Sequence, residues 1–129
     1  MTGGAADDRW ALVVTGDSVL ATRAAEGLRA AGFVCDTADT GLTALPWLEG
    51  ARRDYALIVL DLDLAGVPAT EVLTIASIVA PRAGVIVCGL SAQRAPLGRV
   101  VVRKPALASE FTRAAREFAA HPRTQEVTA

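Results

Sequence analysis

Apolar residues along this chain fall into two alternating textures, short unbroken runs and longer stretches in which they recur every three or four positions. The clearest run is Tyr55-Ala56-Leu57-Ile58-Val59-Leu60. It is too short to span a membrane and lacks polar alternation, so it predicts a strand buried on both faces, as in a parallel sheet covered by helices. Further strands are predicted at Trp10 to Thr15, Phe33 to Thr37, Gly84 to Cys88 and Val100 to Val102. Between them the period lengthens to that of a helix. The first helix runs from Ser18, a suitable cap, to Ala31, with Leu20, Ala24, Leu28 and Ala31 facing inward and Gly32 ending it. The second covers Thr40 to Gly50 with Leu42, Leu45 and Leu48 inward, and Pro46 inside it should distort it by removing a backbone donor. The third covers Pro68 to Ala80, with Pro68 suited to the first turn and Pro81 to the exit. The last covers Leu107 to Ala120, with Phe111, Ala115 and Phe118 on one face and Glu110, Arg113, Arg116 and Glu117 largely outside.

Five strands alternating with helices predict a three-layer α/β sandwich. Right-handed crossovers favour a flavodoxin-like, doubly wound five-stranded parallel sheet of strand order 2-1-3-4-5. In that order Cys35 and Cys88 stand roughly 14 Å apart, too far for a disulfide. Both are expected to be small buried hydrophobes.

At 129 residues the chain suits one domain with a single core. We assign that domain to residues 10–120, with a flexible N-terminal segment at 1–9 and a polar tail at 121–129. With 52% hydrophobic and 21% charged residues, intrinsic disorder is excluded. Thirteen basic against fourteen acidic side chains leave a net charge of −1, which gives no footprint for nucleic acid or an anionic membrane. Asp7 and Asp8 near the start do not fit a secretory signal, and no apolar stretch is long enough to cross a bilayer, so we expect a cytoplasmic protein. No cysteine or histidine cluster has metal-ligand spacing, and the single histidine, His121, falls in the polar tail.

Candidate chemistry gathers where the strands end. Open parallel sheets bind their ligands outside the carboxyl ends of the strands, and Asp61 stands at the end of the most apolar strand. Strand one ends Val13-Val14-Thr15-Gly16-Asp17-Ser18, strand three ends Leu60-Asp61-Leu62-Asp63, and strand five ends Val102-Arg103-Lys104-Pro105. With Gly32-Phe33 and Thr40-Gly41-Leu42-Thr43-Ala44-Leu45, these segments resemble, from about Trp10 to Ala120, the receiver domain of bacterial two-component response regulators. The resemblance implies that Asp61 is the phosphoacceptor for a sensor kinase. It makes Lys104, before Pro105, the lysine that neutralises charge on the transferring group, and it implies a cis peptide bond at Pro105. The residue types suit the reaction, because a carboxylate can form an acyl phosphate beside a metal ion and an ammonium.

Three departures from that pattern qualify what it implies. The acidic pair that helps hold Mg²⁺ is replaced by Thr15 and Gly16, and a hard divalent cation that loses two carboxylates binds poorly. The remaining candidate ligands are Asp17, Asp61 and Asp63. The hydroxyl usually found near the end of strand four is assigned to Ser91, before Ala92; the alternative alignment, on Cys88-Gly89-Leu90, supplies none. Finally, residues 92–98 include Pro96 and Gly98 and cannot form a normal helix, so the fourth helix is expected to be reduced or missing. The aromatic position of strand five is Val101.

The expected function is therefore that of a single-domain, atypical receiver, not an enzyme. It would act in phosphorelay signal transduction through protein contacts, with weak or absent phosphorylation at Asp61 and at most weak Mg²⁺ binding. Its partners would be a sensor kinase or downstream target, or a second copy in a homodimer. The third helix, apolar nearly all round through Val72, Leu73, Ile75, Ala76, Ile78 and Val79, marks the surface together with the shortened segment before strand five. The alternative is a working, Mg²⁺-dependent phosphoacceptor. A reading of another class takes Thr15 to Ser18, at a helix N-terminus, as a cradle for a nucleotide or flavin phosphate.

Overall fold

The computed structural model describes residues 9–89 and 100–120. Its strands are β1 (Arg9–Val14), β2 (Phe33–Ala38), β3 (Tyr55–Asp61), β4 (Gly84–Gly89) and β5 (Val100–Arg103). Its helices, among the described residues, are α1 (Ser18–Ala30), α2 (Gly41–Glu49), α3 (Ala69–Val79) and α4 (Ala108–Ala120). The strands pair in parallel in the order β2-β1-β3-β4-β5. This is the flavodoxin-like sheet that the apolar pattern predicts. The reduced helix expected at 92–98, and with it Ser91, lies outside the described residues, as does His121.

Each central strand is apolar on both faces because each face has its own helical cover. Ala11, Val13, Leu57, Val59, Ile86 and Cys88 pack with Leu20, Ala24 and Leu28 of α1 and with Phe111, Ala114 and Ala115 of α4. The alternate residues Leu12, Val14, Ile58 and Leu60 pack with Ala44 and Leu48 of α2 and with Ala69, Val72 and Ala76 of α3. The strand period of two thus sends successive side chains into two separate cores.

Several boundaries move for local reasons. Asp17, not Ser18, caps α1: its Oδ1 accepts from the backbone N–H of Val19 at 3.0 Å and of Leu20 at 3.1 Å. Thr40 caps α2, its hydroxyl accepting from Thr43 N–H at 3.1 Å. In α2 the expected inward triplet is only partly correct. Leu48 is buried and Leu45 half-buried, but Leu42 is 72% exposed, and Ala44 takes the inward place. Leu42 lies in the first turn, and Ala44 and Leu48 are the α2 residues that enter the core on this face of the sheet. Pro46 is accommodated inside α2, in its second turn.

Helices α1 and α4 approach unusually closely. A Cβ built on Gly27 would collide with the carbonyl oxygen of Ala108 and lie 2.8 Å from Phe111 Cβ. Thr112 Oγ1 also donates to the Gly27 carbonyl at 2.7 Å, and Arg23 Nη1 to the Ala106 carbonyl at 3.2 Å. Gly27→Ala is expected to lower stability by about 2 kcal/mol, as roughly 3 kcal/mol of overpacking is partly offset by about 1 kcal/mol of helix propensity. Thermal unfolding followed by circular dichroism should show a midpoint about 8 °C lower. An unchanged midpoint would mean that the two helices separate without cost.

At the opposite, amino-terminal end of the sheet lies a polar cluster that the linear pattern does not reveal. Asp36 Oδ2 accepts from Tyr55 OH at 2.7 Å and from Arg53 Nε at 3.3 Å. The guanidinium of Arg53 stacks on Trp10, that of Arg52 on Trp47 and that of Arg9 on Phe33, at 3.8, 4.5 and 4.5 Å from the ring centroids. Arg9, assigned from the pattern to the N-terminal segment, is the first residue of β1.

Candidate functional site

In this strand order the chain reverses direction across the sheet between β1 and β3, and side-chain chemistry concentrates there. Thr15 follows β1, Asp61 ends β3, and Lys104 follows β5. Backbone hydrogen bonds secure all three. Thr15 N–H donates to the Ala38 carbonyl at 3.0 Å, Leu62 N–H to the Cys88 carbonyl at 2.8 Å, and Lys104 N–H to the Gly89 carbonyl at 3.0 Å. The loop after β3 turns through Gly66, whose φ of +81° suits a residue without Cβ.

Asp61 is buried, and both of its oxygens have donors. Lys104 Nζ lies 2.6 Å from Oδ1, which also accepts from Asp63 N–H at 2.9 Å. Thr15 Oγ1 donates to Oδ2 at 2.6 Å, and the same hydroxyl oxygen accepts from Asp17 N–H at 3.1 Å. Lys104 Nζ also lies 3.1 Å from Asp63 Oδ2. The ammonium thus spans two carboxylates. The Lys104–Pro105 peptide bond is cis.

Burial alone would raise the Asp61 carboxyl, but the hydrogen bonds from Lys104, Thr15 and Asp63 N–H outweigh it and hold the group below the usual carboxylate range. Lys104 moves the opposite way: burial would lower it, and the bonds to Asp61 and Asp63 raise it. The pair is therefore ionised throughout the neutral range. Cys88, directly across from Asp61 in the β3–β4 register, has its thiol pushed up to about 12 by burial and then by the Asp61 charge. It stays neutral and acts as the small buried hydrophobe expected of it; Cys35, expected to be buried as well, is only half-buried near the edge of the sheet, with its thiol also raised by burial, and both are free thiols.

Of the candidate site residues, the structure brings together Asp61, Asp63 and Lys104, with Pro105 behind the lysine. Asp17 is adjacent, but its carboxylate is turned to the N-terminus of α1. The role of Thr15 is the feature that sequence reasoning missed. It marks a lost carboxylate in the sequence, whereas in the fold its hydroxyl is a direct partner of Asp61. The available signal is its position, immediately after an apolar strand and level with Asp61.

A divalent cation fits this arrangement poorly. Such an ion needs about six oxygen ligands with good geometry. Here Asp61 Oδ1 and Oδ2 and Asp63 Oδ2 already accept from an ammonium, an amide and a hydroxyl. No group of three acidic, histidine or cysteine side chains that could hold a metal occurs among the described residues. The N-terminus of α1 is a poor phosphate cradle as well, because the Asp17 carboxylate already occupies its Val19 and Leu20 N–H donors.

The fold, with an aspartate at the carboxyl end of β3 and a lysine after β5, is similar to that of receiver domains. The sheet is that of response-regulator receiver domains, as comparison with solved structures shows. A receiver domain protein (CheY-like) from Methanospirillum hungatei is similar over 95% of this chain and 99% of its own, with a TM-score of 0.73 and 20% identity. A receiver protein from Sinorhizobium medicae matches over 91% of this chain and 98% of its own, with a TM-score of 0.79 and 16% identity. A response regulator from Burkholderia pseudomallei, solved with a phosphorylated aspartic acid, a calcium ion and citrate, matches over 95% of this chain and 74% of its own, with a TM-score of 0.68 and 21% identity. No family model and no curated protein matches the chain.

Proposed function

We propose that this chain is an atypical receiver of phosphorelay signal transduction that works through protein contacts, with little or no phosphoryl transfer to Asp61, rather than as an enzyme. The observation that carries this reading is the 2.6 Å hydrogen bond from Thr15 Oγ1 to Asp61 Oδ2. An attacking carboxylate oxygen needs an open approach and cations beside it to neutralise the charge of the incoming phosphoryl group. Here one oxygen is held by a hydroxyl, the other by the ammonium and an amide, and the carboxylates that would support a metal are replaced by Thr15 and Gly16.

The outer face of α3 suits such a role. Val72 and Ala76 face the sheet, while Ile78 is 69% and Val79 41% exposed. Aliphatic side chains in that position offer a partner protein, or a second copy of the chain, apolar surface to cover. On β5, the half-exposed Val101 stands where many receivers have an aromatic residue. Among the described residues no helix is long and apolar enough to cross a membrane, which is consistent with a cytoplasmic relay component.

Intact-mass measurement after incubation with a small-molecule phosphodonor and Mg²⁺ tests the reading. The wild-type chain is expected to show no phosphate adduct, as is Asp61→Asn. An adduct on the wild type that is absent from Asp61→Asn would overturn the reading in favour of a working phosphoacceptor.

A further inference from the structure

The ammonium of Lys104 does more in this site than pair with Asp61. It lies 2.6 Å from Asp61 Oδ1 and 3.1 Å from Asp63 Oδ2, and its side chain is only 13% exposed. The charge that gathers the two carboxylates is thus already inside the fold. Asp63 N–H fills a second place on Oδ1, and Thr15 Oγ1 covers Oδ2. Neither Asp17 nor Thr15 brings a carboxylate to compete for a metal ion. Asp17 is committed to α1, and Thr15 contributes a neutral hydroxyl that donates to Asp61 Oδ2.

From this arrangement we propose that Lys104 is the site's resident cation, standing in place of a divalent metal, and that Lys104 and Thr15 together exclude such a metal from Asp61 and Asp63. The two residues differ in what they do. Lys104 neutralises the paired carboxylates, so a divalent ion gains little by entering and meets a like charge if the ammonium stays. Thr15 removes an acceptor site from Asp61. Both are positioning residues in this sense, since they fix the state of Asp61 without being chemically changed. The proposal concerns cation binding at Asp61 and Asp63, and it is read from metal occupancy rather than from phosphorylation.

Binding of Mn²⁺, counted by the electron paramagnetic resonance signal of the free ion, tests it on the full chain. The wild type is expected to show no Asp61-dependent binding, its titration overlaying that of Asp61→Asn. Lys104→Gln, which frees the carboxylates of Asp61 and Asp63, is expected to gain an Asp61-dependent Mn²⁺ site, roughly tenfold tighter than the residual, Asp61-independent binding of the wild type. The gain should vanish in the double variant Lys104→Gln with Asp61→Asn. Lys104→Met, which keeps the apolar stem, repeats the comparison if the glutamine variant does not fold. Wild-type binding that Asp61→Asn abolishes would overturn the proposal. So would a folded Lys104 variant that gains nothing, since the missing acidic pair alone would then account for the loss of metal binding. Because the readout is metal occupancy, its failure is distinguishable from that of the phosphodonor experiment: a chain that binds Mn²⁺ at Asp61 can still fail to acquire an adduct.

Discussion

Phe111→Ala is expected to cost about 4 kcal/mol of stability and to lower the melting temperature by about 15 °C. Phe111 is the largest of the fully buried side chains, and it sits where α4 meets both α1 and the sheet. Its Cβ stands close beside Gly27, which has no side chain to expand into the cavity, and the core to which it belongs includes Ala24, Ala106, Ala114 and Ala115. Cores built from so many alanines collapse poorly around a lost ring, which places the cost well inside the range for a large-to-small substitution. Urea unfolding with an unchanged slope would report the loss as one of stability alone. A loss below about 1.5 kcal/mol would mean that α4 settles onto the sheet and closes the cavity. Ala106, two residues beyond Lys104, belongs to the same core, so the seat of α4 also determines how firmly the lysine is presented.

Lys104→Met is expected to cost about 3 kcal/mol at neutral pH, because it leaves the buried Asp61 charge with only a hydroxyl and an amide as donors. The pH dependence identifies the origin of that cost. In the wild type the Asp61 carboxyl is held low, so its contribution is complete above the unfolded value of about 3.9 and disappears as the pH falls through the folded value. Lys104 is held high, so its contribution is complete below about 10.4 and disappears as the pH rises through its folded value. Between those limits the pair gives a plateau. Without the ammonium, burial of Asp61 is less fully opposed and its carboxyl moves up. The stability gap between variant and wild type should therefore be widest at neutral pH and close as acid protonates Asp61 in both. Urea unfolding at a series of pH values measures this, and a gap independent of pH would assign the effect to packing of the lysine stem alone.

Much of the fold was legible because it rests on local rules. Continuous apolar runs such as Leu57 to Leu60 can be buried on both sides only in a covered parallel sheet, and that constraint with right-handed crossovers leads to the observed strand order. Helix positions followed from periodicity, and the errors came at the edges. Leu42 carries a core-type side chain but lies in a first turn that points away from the sheet. The α1 cap moved from Ser18 to Asp17 because a carboxylate one residue earlier reaches two N–H groups at once. The stacking of Arg9, Arg52 and Arg53 on aromatic rings has no periodic trace, since each pair joins residues from different elements or turns.

The sequence by itself determined which residues stand at the carboxyl ends of the strands: Thr15, Asp61 and Lys104 each follow directly from where an apolar run stops. Set against the receiver pattern that these segments resemble, it showed as well that Thr15 and Gly16 stand where that pattern has two carboxylates. Only the tertiary structure decided what replaced them. A threonine hydroxyl 46 residues away in sequence reaches Asp61 Oδ2, and one ammonium spans Asp61 and Asp63, while Asp17, the nearest acid in sequence to the lost pair, turns away to cap a helix. Hydrogen bonds and ion pairs depend on separations of about 3 Å, which are set by how neighbouring strands end relative to one another. Hydrophobic periodicity reports which face a residue occupies, and carries no information at that scale.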